Sequence, residues 1–185
     1  VTYTSETVEV SATQKNYRLP TMVSVTMGED SKTEANINWF SKSTLEATDI
    51  EIYKTDKEPE FTGVPTETID FKITASSKVV ERQFPGIDIG IAGFLWYKFD
   101  MVQHTVNLSK LDPGTTYYYR VGNAEYGWWS ETGKLTTADG SKNVTFLHMT
   151  DPQSQNVRQY ERAWKDVLNT AFDKYEDSAF ILSTG

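Results

Sequence analysis

The sequence predicts a mainly β protein: an antiparallel β-sandwich over residues 1–138, then a truncated strand–helix–strand unit of an α/β domain over residues 139–185. Three observations carry this. Between Thr21 and Thr137, seven short segments alternate apolar and polar residues and are rich in β-branched and aromatic side chains. Turn clusters such as "MGEDSKTE" and "LDPGT" separate them, with no helical periodicity in between. At Asp139-Gly140-Ser141 the pattern changes to an apolar strand, an amphipathic helix and a second apolar strand.

The elements follow in order. Residues 1–20 are polar and Thr/Ser-rich, an extended lead-in that reads as an edge strand or as the segment behind a removed leader. The sandwich strands are expected at "TMVSVTM" (Thr21–Met27), "EANINWF" (Glu34–Phe40), "IEIYK" (Ile50–Lys54), "TIDFKITAS" (Thr68–Ser76), "MVQHTVNL" (Met101–Leu108), "TYYYRVGN" (Thr116–Asn123) and "GKLTT" (Gly133–Thr137). Seven strands at this spacing are the pattern of an antiparallel sandwich. Trp39 alternates with Ile37 and Ala35 and should plug the core. Tyr117 and Tyr119 share the face opposite Tyr118, so one of the two sets is core. Gln83–Asp100, aromatic and glycine-containing without a clean period, reads either as a long loop over its own core or as an apolar docking surface. Trp128 and Trp129, adjacent in sequence, face opposite ways in a strand, and an exposed Trp pair is what a carbohydrate-binding module would use.

In the second part, "NVTFLHMT" is nearly continuously apolar. In "NVRQYERAWKDVLNTAFDKY" the residues Val157, Tyr160, Trp164, Val167, Leu168, Ala171, Phe172 and Tyr175 recur on one helical face. "AFILSTG" is then an apolar strand of the kind parallel sheets cover on both faces. One helix for two strands leaves a sheet edge and a face open, and units of about 40 residues seldom stabilise themselves. The chain is therefore expected to be a fragment ending inside a larger domain. Its tail would be disordered, docked on the sandwich or paired with a second copy.

Composition narrows the function. The 26 acidic and 18 basic residues give a net charge of −8, spread along the chain, which argues against nucleic acid or an anionic membrane as the partner. The most apolar run, Ile89–Tyr97, is far short of the roughly 20 residues a membrane span needs. The absence of cysteine removes disulfides, thiolate metal sites and thiol nucleophiles. Two N-x-S/T sequons, at Asn107 and Asn143, carry little weight.

Asp151 is the candidate for chemistry, because it follows the first strand of the strand–helix–strand unit directly, where open parallel sheets bind ligands. A carboxylate there can hold a hard or borderline cation. The plainer reading is a turn at Asp151 with Gln155 or Asn156 capping the helix. His148 reads as packed or hydrogen-bonded within its strand, and His104 as a structural or surface residue of the sandwich.

Two phrases resemble a known family. "HTVNLSKLDPGTTYYYRVGN" with "WWSETGKLTT" is similar to the fibronectin type III-like N-terminal domain of purple acid phosphatases. "FLHMTDPQSQ", then the helix and "FILSTG", resembles the start of a calcineurin-like metallophosphoesterase domain. The resemblance implies that Asp151 stands at the first metal-ligating aspartate and Gly185 at the glycine of the next, Gly-Asp, motif. Gln153 stands where the broader family has a ligating histidine and purple acid phosphatases have glycine. A Gln carbonyl is a neutral, weaker ligand than imidazole, so Gln153 is read either as a ligand or as a contact to phosphate or water.

The implied activity is phosphoester hydrolysis with two di- or trivalent metal ions (Fe, Zn or Mn) that polarise the phosphate and activate a bound water. The substrate would be a phosphoester, the sandwich would pack on its own catalytic domain, and a homo-oligomer is allowed. This stretch alone, with one ligand motif, would be inactive and hold no metal. Families of this architecture are often exported, so an extracellular or cell-surface bacterial protein is expected, although the composition fits a cytosolic one equally. Two competing readings are a fibronectin type III-like module binding a cell-surface polymer or protein, and a catalytically dead relative.

Overall fold

The computed structural model describes residues 19–42, 49–66, 71–83, 96–141, 143–151 and 157–184. By its contacts the chain divides into two compact units, Val1–Val79 with Asp100–Asp139, and Val80–Phe99 with Gly140–Gly185.

Eight strands form two sheets: β1 (Thr21–Met27), β2 (Ala35–Lys42), β3 (Asp49–Lys54), β4 (Phe71–Gln83), β5 (Trp96–Leu108), β6 (Thr116–Asn123), β7 (Trp128–Trp129) and β8 (Gly133–Thr136). One sheet has the order β1-β2-β5-β4. In the other, β6 pairs β3 along one side and β8 and then β7 along the other. Treating β7 and β8 as one interrupted strand gives the four-plus-three arrangement of a constant-type immunoglobulin sandwich. The expected strands are all present in β1–β8. A short strand not in the expected set, β7, precedes the last of them, and β4 and β5 run to 13 residues each. Gln83 and Trp96–Asp100 therefore lie in strands rather than in the long loop expected over Gln83–Asp100. The pairing of two long neighbours extends the ladder past the point where the sequence alternates cleanly. Residues 84–95 lie outside the described residues.

The inward faces are set by alternation. From β2, Ala35, Ile37 and Trp39 point in; from β3, Ile50 and Ile52; from β5, Val106 and Leu108; from β6, Tyr117, Tyr119 and Val121. Leu111 and Leu135 close the cluster. Trp39, 1% exposed, plugs the core as its spacing predicted, and the core set of tyrosines is Tyr117 and Tyr119.

The β5–β6 connection is fixed by a tyrosine corner. The Tyr117 hydroxyl, at the start of β6, accepts from the Asp112 backbone N–H at 2.9 Å, so a buried phenol and a turn amide satisfy each other. Gly114 supplies the positive φ of 59° that this turn requires. The Thr137 hydroxyl ties the same corner to the end of β8 by donating to the Asp112 carbonyl at 2.6 Å.

In the second unit, β9 (Leu147–Met149) and β10 (Ile181–Ser183) pair in parallel, Leu147 opposite Ile181, with α1 (Val157–Lys174) between them in sequence. Both strands are three residues long, shorter than the apolar runs suggested. Ile181 and Leu182 stay 37% and 44% exposed, because among the described residues this sheet has no third strand to flank them. The covering on both faces expected of a parallel strand is thus not met. The buried stripe of α1 is narrower than its sequence period: Trp164, Leu168 and Ala171 are half-buried, whereas Val167 and Phe172 are exposed. Among the described residues no helix is long and apolar enough to cross a membrane.

Candidate functional site

Asp151 sits one residue beyond Thr150 at the carboxyl end of β9, exposed, with φ at 49°. Asp tolerates this left-handed conformation better than most residues, and it turns the chain out of the strand. The Thr150 hydroxyl donates to Asp151 Oδ2 at 2.7 Å, which orients the carboxylate. Across the parallel pair, His148 Nε2 and Thr184 Oγ1 are 3.0 Å apart, so His148 is hydrogen-bonded as expected, but exposed rather than packed. Gln153, Gln155, Asn156 and Gly185 lie outside the described residues. Among the described residues no group of three or more His, Asp or Glu side chains is arranged to hold a metal ion. They do not by themselves fit a two-metal centre, and Asp151 presents a single oxygen donor group.

The most ordered polar constellation is in the sandwich, and the sequence reading missed it. Glu51 on β3 lies opposite Arg120 on β6. It is fully buried between Ile50 and Ile52, on the face turned away from the core. Its Oε1 accepts from the Tyr53 hydroxyl at 2.7 Å, the Thr62 N–H at 2.6 Å and the Thr62 hydroxyl at 3.0 Å. Its Oε2 accepts from the Gly63 N–H at 3.1 Å and from Arg120 Nε at 2.9 Å, with Arg120 Nη2 2.8 Å away. The loop after β3 is thereby folded back over its own strand. Its return is fixed at Thr66, whose N–H donates to the Ile50 carbonyl at 2.9 Å.

The guanidinium of Arg120 also lies over the rings of Phe61 and Trp129, at 4.8 and 4.6 Å. Burial alone would raise the Glu51 pKa, but hydrogen bonds from Tyr53, Thr62 and Arg120 outweigh it and hold the carboxyl below its ordinary value. The findable signal was an acid and an arginine at facing outward positions of paired strands. With every oxygen lone pair engaged, this cluster fastens a loop and leaves no acceptor free for a substrate.

The two tryptophans divide as adjacent strand residues must. Trp129 lies on the outward side beside Arg120, and Trp128 stacks on the exposed Tyr126 at 4.7 Å. A side chain at Gly122, opposite Trp129, would overlap the Trp128 carbonyl, so glycine there lets β7 close onto β6. The hairpin tip is pinned by Tyr126 N–H to Asn123 Oδ1 at 3.0 Å and by Ala124 N–H to Asp49 Oδ2 at 2.8 Å.

His104, the first residue of the phrase quoted above, is fully buried. It stacks on Trp39 at 5.2 Å, with Nε2 2.6 Å from the Ser41 hydroxyl. Its Nδ1 has no hydrogen-bond partner. Burial pushes its pKa down to about 4. It is a neutral core residue, which resolves the two expected alternatives, structural or surface, in favour of the structural one.

The strand order, the shared core and the tyrosine corner define an immunoglobulin-like or fibronectin type III-like sandwich. Residues 20–137, more than half of the chain, match the family model of the purple acid phosphatase N-terminal domain, and the chain belongs to that family. No curated protein matches it.

Proposed function

We propose that the chain is the amino-terminal region of a metal-dependent phosphoesterase, an acid phosphatase acting on phosphate esters at a centre of two metal ions drawn from iron, zinc and manganese. The family membership of residues 20–137 carries this reading. The oriented carboxylate at the carboxyl end of β9 supports it, since that is where open parallel sheets collect their ligands. In this reading the sandwich packs on the catalytic domain, Asp151 is the first metal-ligating carboxylate, and Gln153 lies next to the metals or the phosphate. The protein works outside the cell or at its surface. In this reading the stretch carries only the first ligand motif and needs the rest of the catalytic domain to turn over substrate.

The test is made on the parent protein, with the residues that follow Gly185 included. Wild type should carry about two metal ions per chain and hydrolyse a generic aryl phosphate. Asp151→Ala should lower metal content and reduce turnover by about 100-fold or more. A metal-free, inactive parent, or an Asp151→Ala protein with full metal content and rate, defeats the proposal.

A further inference from the structure

Three successive cross-strand rows on the outward face of β1, β2 and β5 form an uncharged grid. Thr26, Asn36 and Asn107 form one cross-strand row, and Ser24, Asn38 and Thr105 form the next. A third row sets Phe40 opposite Gln103. Over these rows the segments Thr21–Met27, Ala35–Ser41 and Met101–Leu108 contain no Asp, Glu, Lys or Arg, in a chain with 26 acidic and 18 basic residues; the charges of β2 and β5, Lys42 and Lys98 with Asp100, come at the strand ends beyond the Phe40–Gln103 row. The solvent side of an antiparallel sheet is ordinarily where charge collects.

The amides of this grid are held in fixed orientations. Thr105 Oγ1 donates to Asn38 Oδ1 at 2.8 Å, Asn107 Nδ2 donates to Asn36 Oδ1 at 2.6 Å, and Asn36 Nδ2 donates to the Met27 carbonyl at 3.3 Å. These bonds leave the Asn38 NH2 group, the Asn107 carbonyl oxygen and the hydroxyls of Ser24 and Thr26 without partners among the described residues. A set of preorganised donors and acceptors loses little entropy on binding. It repeats about every 4.8 Å across the strands and about every 7 Å along them.

We propose that this face binds an extended, neutral polysaccharide. Each sugar hydroxyl is both donor and acceptor, which suits a surface of amides and hydroxyls, and the half-buried Phe40 ring supplies apolar area for a pyranose C–H face. Other partners fit less well. A nucleic acid needs clustered positive charge. A protein partner of ordinary affinity needs a buried aromatic or arginine anchor in a pocket, which a flat amide grid does not offer. The inference stands apart from any activity of the parent protein.

The test is affinity electrophoresis of the 185-residue chain through native gels holding soluble β-glucan, xylan or galactomannan, with polygalacturonate as the charged comparison. At least one neutral polymer should retard the chain. Asn38→Asp, which keeps the side-chain shape but adds a charge, and Asn107→Ala, at an exposed position, should each weaken the apparent affinity by about fivefold to tenfold, the worth of one or two hydrogen bonds. Tyr126→Ala, on the hairpin of the other sheet, should leave it unchanged. No retardation in any neutral polymer, retardation in polygalacturonate alone, unchanged binding by both grid variants, or loss of binding in Tyr126→Ala would each overturn the proposal.

Discussion

Acidification should weaken the sandwich through His104. In the folded chain this imidazole is fully buried against Trp39, and only Nε2 is engaged, with Ser41. Protonation would make both nitrogens donors, with Nδ1–H facing no acceptor inside an apolar core. Burial therefore lowers the pKa from 6.5 to about 4. The unfolded chain binds this proton below about pH 6.5 and the folded chain only below about pH 4, so the stability present at neutral pH is lost as pH falls across that window. At about 1.4 kcal/mol per pH unit the loss integrates to about 3 kcal/mol, a large fraction of the 5–15 kcal/mol typical of a domain.

The assay is denaturant unfolding followed by tryptophan fluorescence from about pH 7.5 to about pH 4. His104→Gln, which stays neutral throughout and can still bond Ser41, serves as the reference. Subtracting the variant removes the contribution of the carboxylates. The difference between the two proteins should shift by about 3 kcal/mol against wild type across the window. A difference that stays flat would show that His104 titrates alike in both states and would refute the burial argument.

Two further outcomes follow from the packing. Glu51→Gln removes one partner of a buried ion pair and leaves Arg120 uncompensated between Phe61 and Trp129, so denaturant unfolding should show a loss of about 3–5 kcal/mol; amide exchange at Thr62 and Gly63 should accelerate with it. Tyr117→Phe keeps the buried ring but strips the acceptor from the Asp112 N–H, and thermal or urea unfolding should register about 1–3 kcal/mol.

Much of the sandwich was legible because its signals are local. Alternation in "EANINWF" and "TYYYRVG" sorts side chains by face whatever the partner strand, so Trp39 was placed in the core from spacing and Tyr117 and Tyr119 were grouped opposite Tyr118, while the structure decided that theirs is the core face. The turn chemistry of "LDPGT" marked the corner that Tyr117 closes. Glu51 was not legible, since an acid inside "IEIYK" reads as an ordinary solvent-facing residue. Its burial depends on a loop 11 residues later in sequence folding back to give it the Thr62 N–H. The extent of β4 and β5 was likewise hidden, because ladder pairing between neighbours lengthens strands beyond their own alternation. At the candidate metal position the sequence placed Asp151 at a strand end. It could not supply the left-handed backbone or the Thr150 bond that aims the carboxylate.

By itself the sequence determined the mainly β class, the inward place of Trp39, the grouping of strand residues by face and the family phrase from His104 to Asn123. These depend on period, turn residues and side-chain type, which act over a few neighbours. Only the tertiary structure decided the strand order of the two sheets, the pairing of Glu51 with Arg120, the burial of His104 against Trp39 and Ser41, and the alignment of Asn36, Asn38, Thr105 and Asn107 into uncharged rows. Each of these joins residues that are brought together by strand register or by sheet packing, and no local pattern encodes the register.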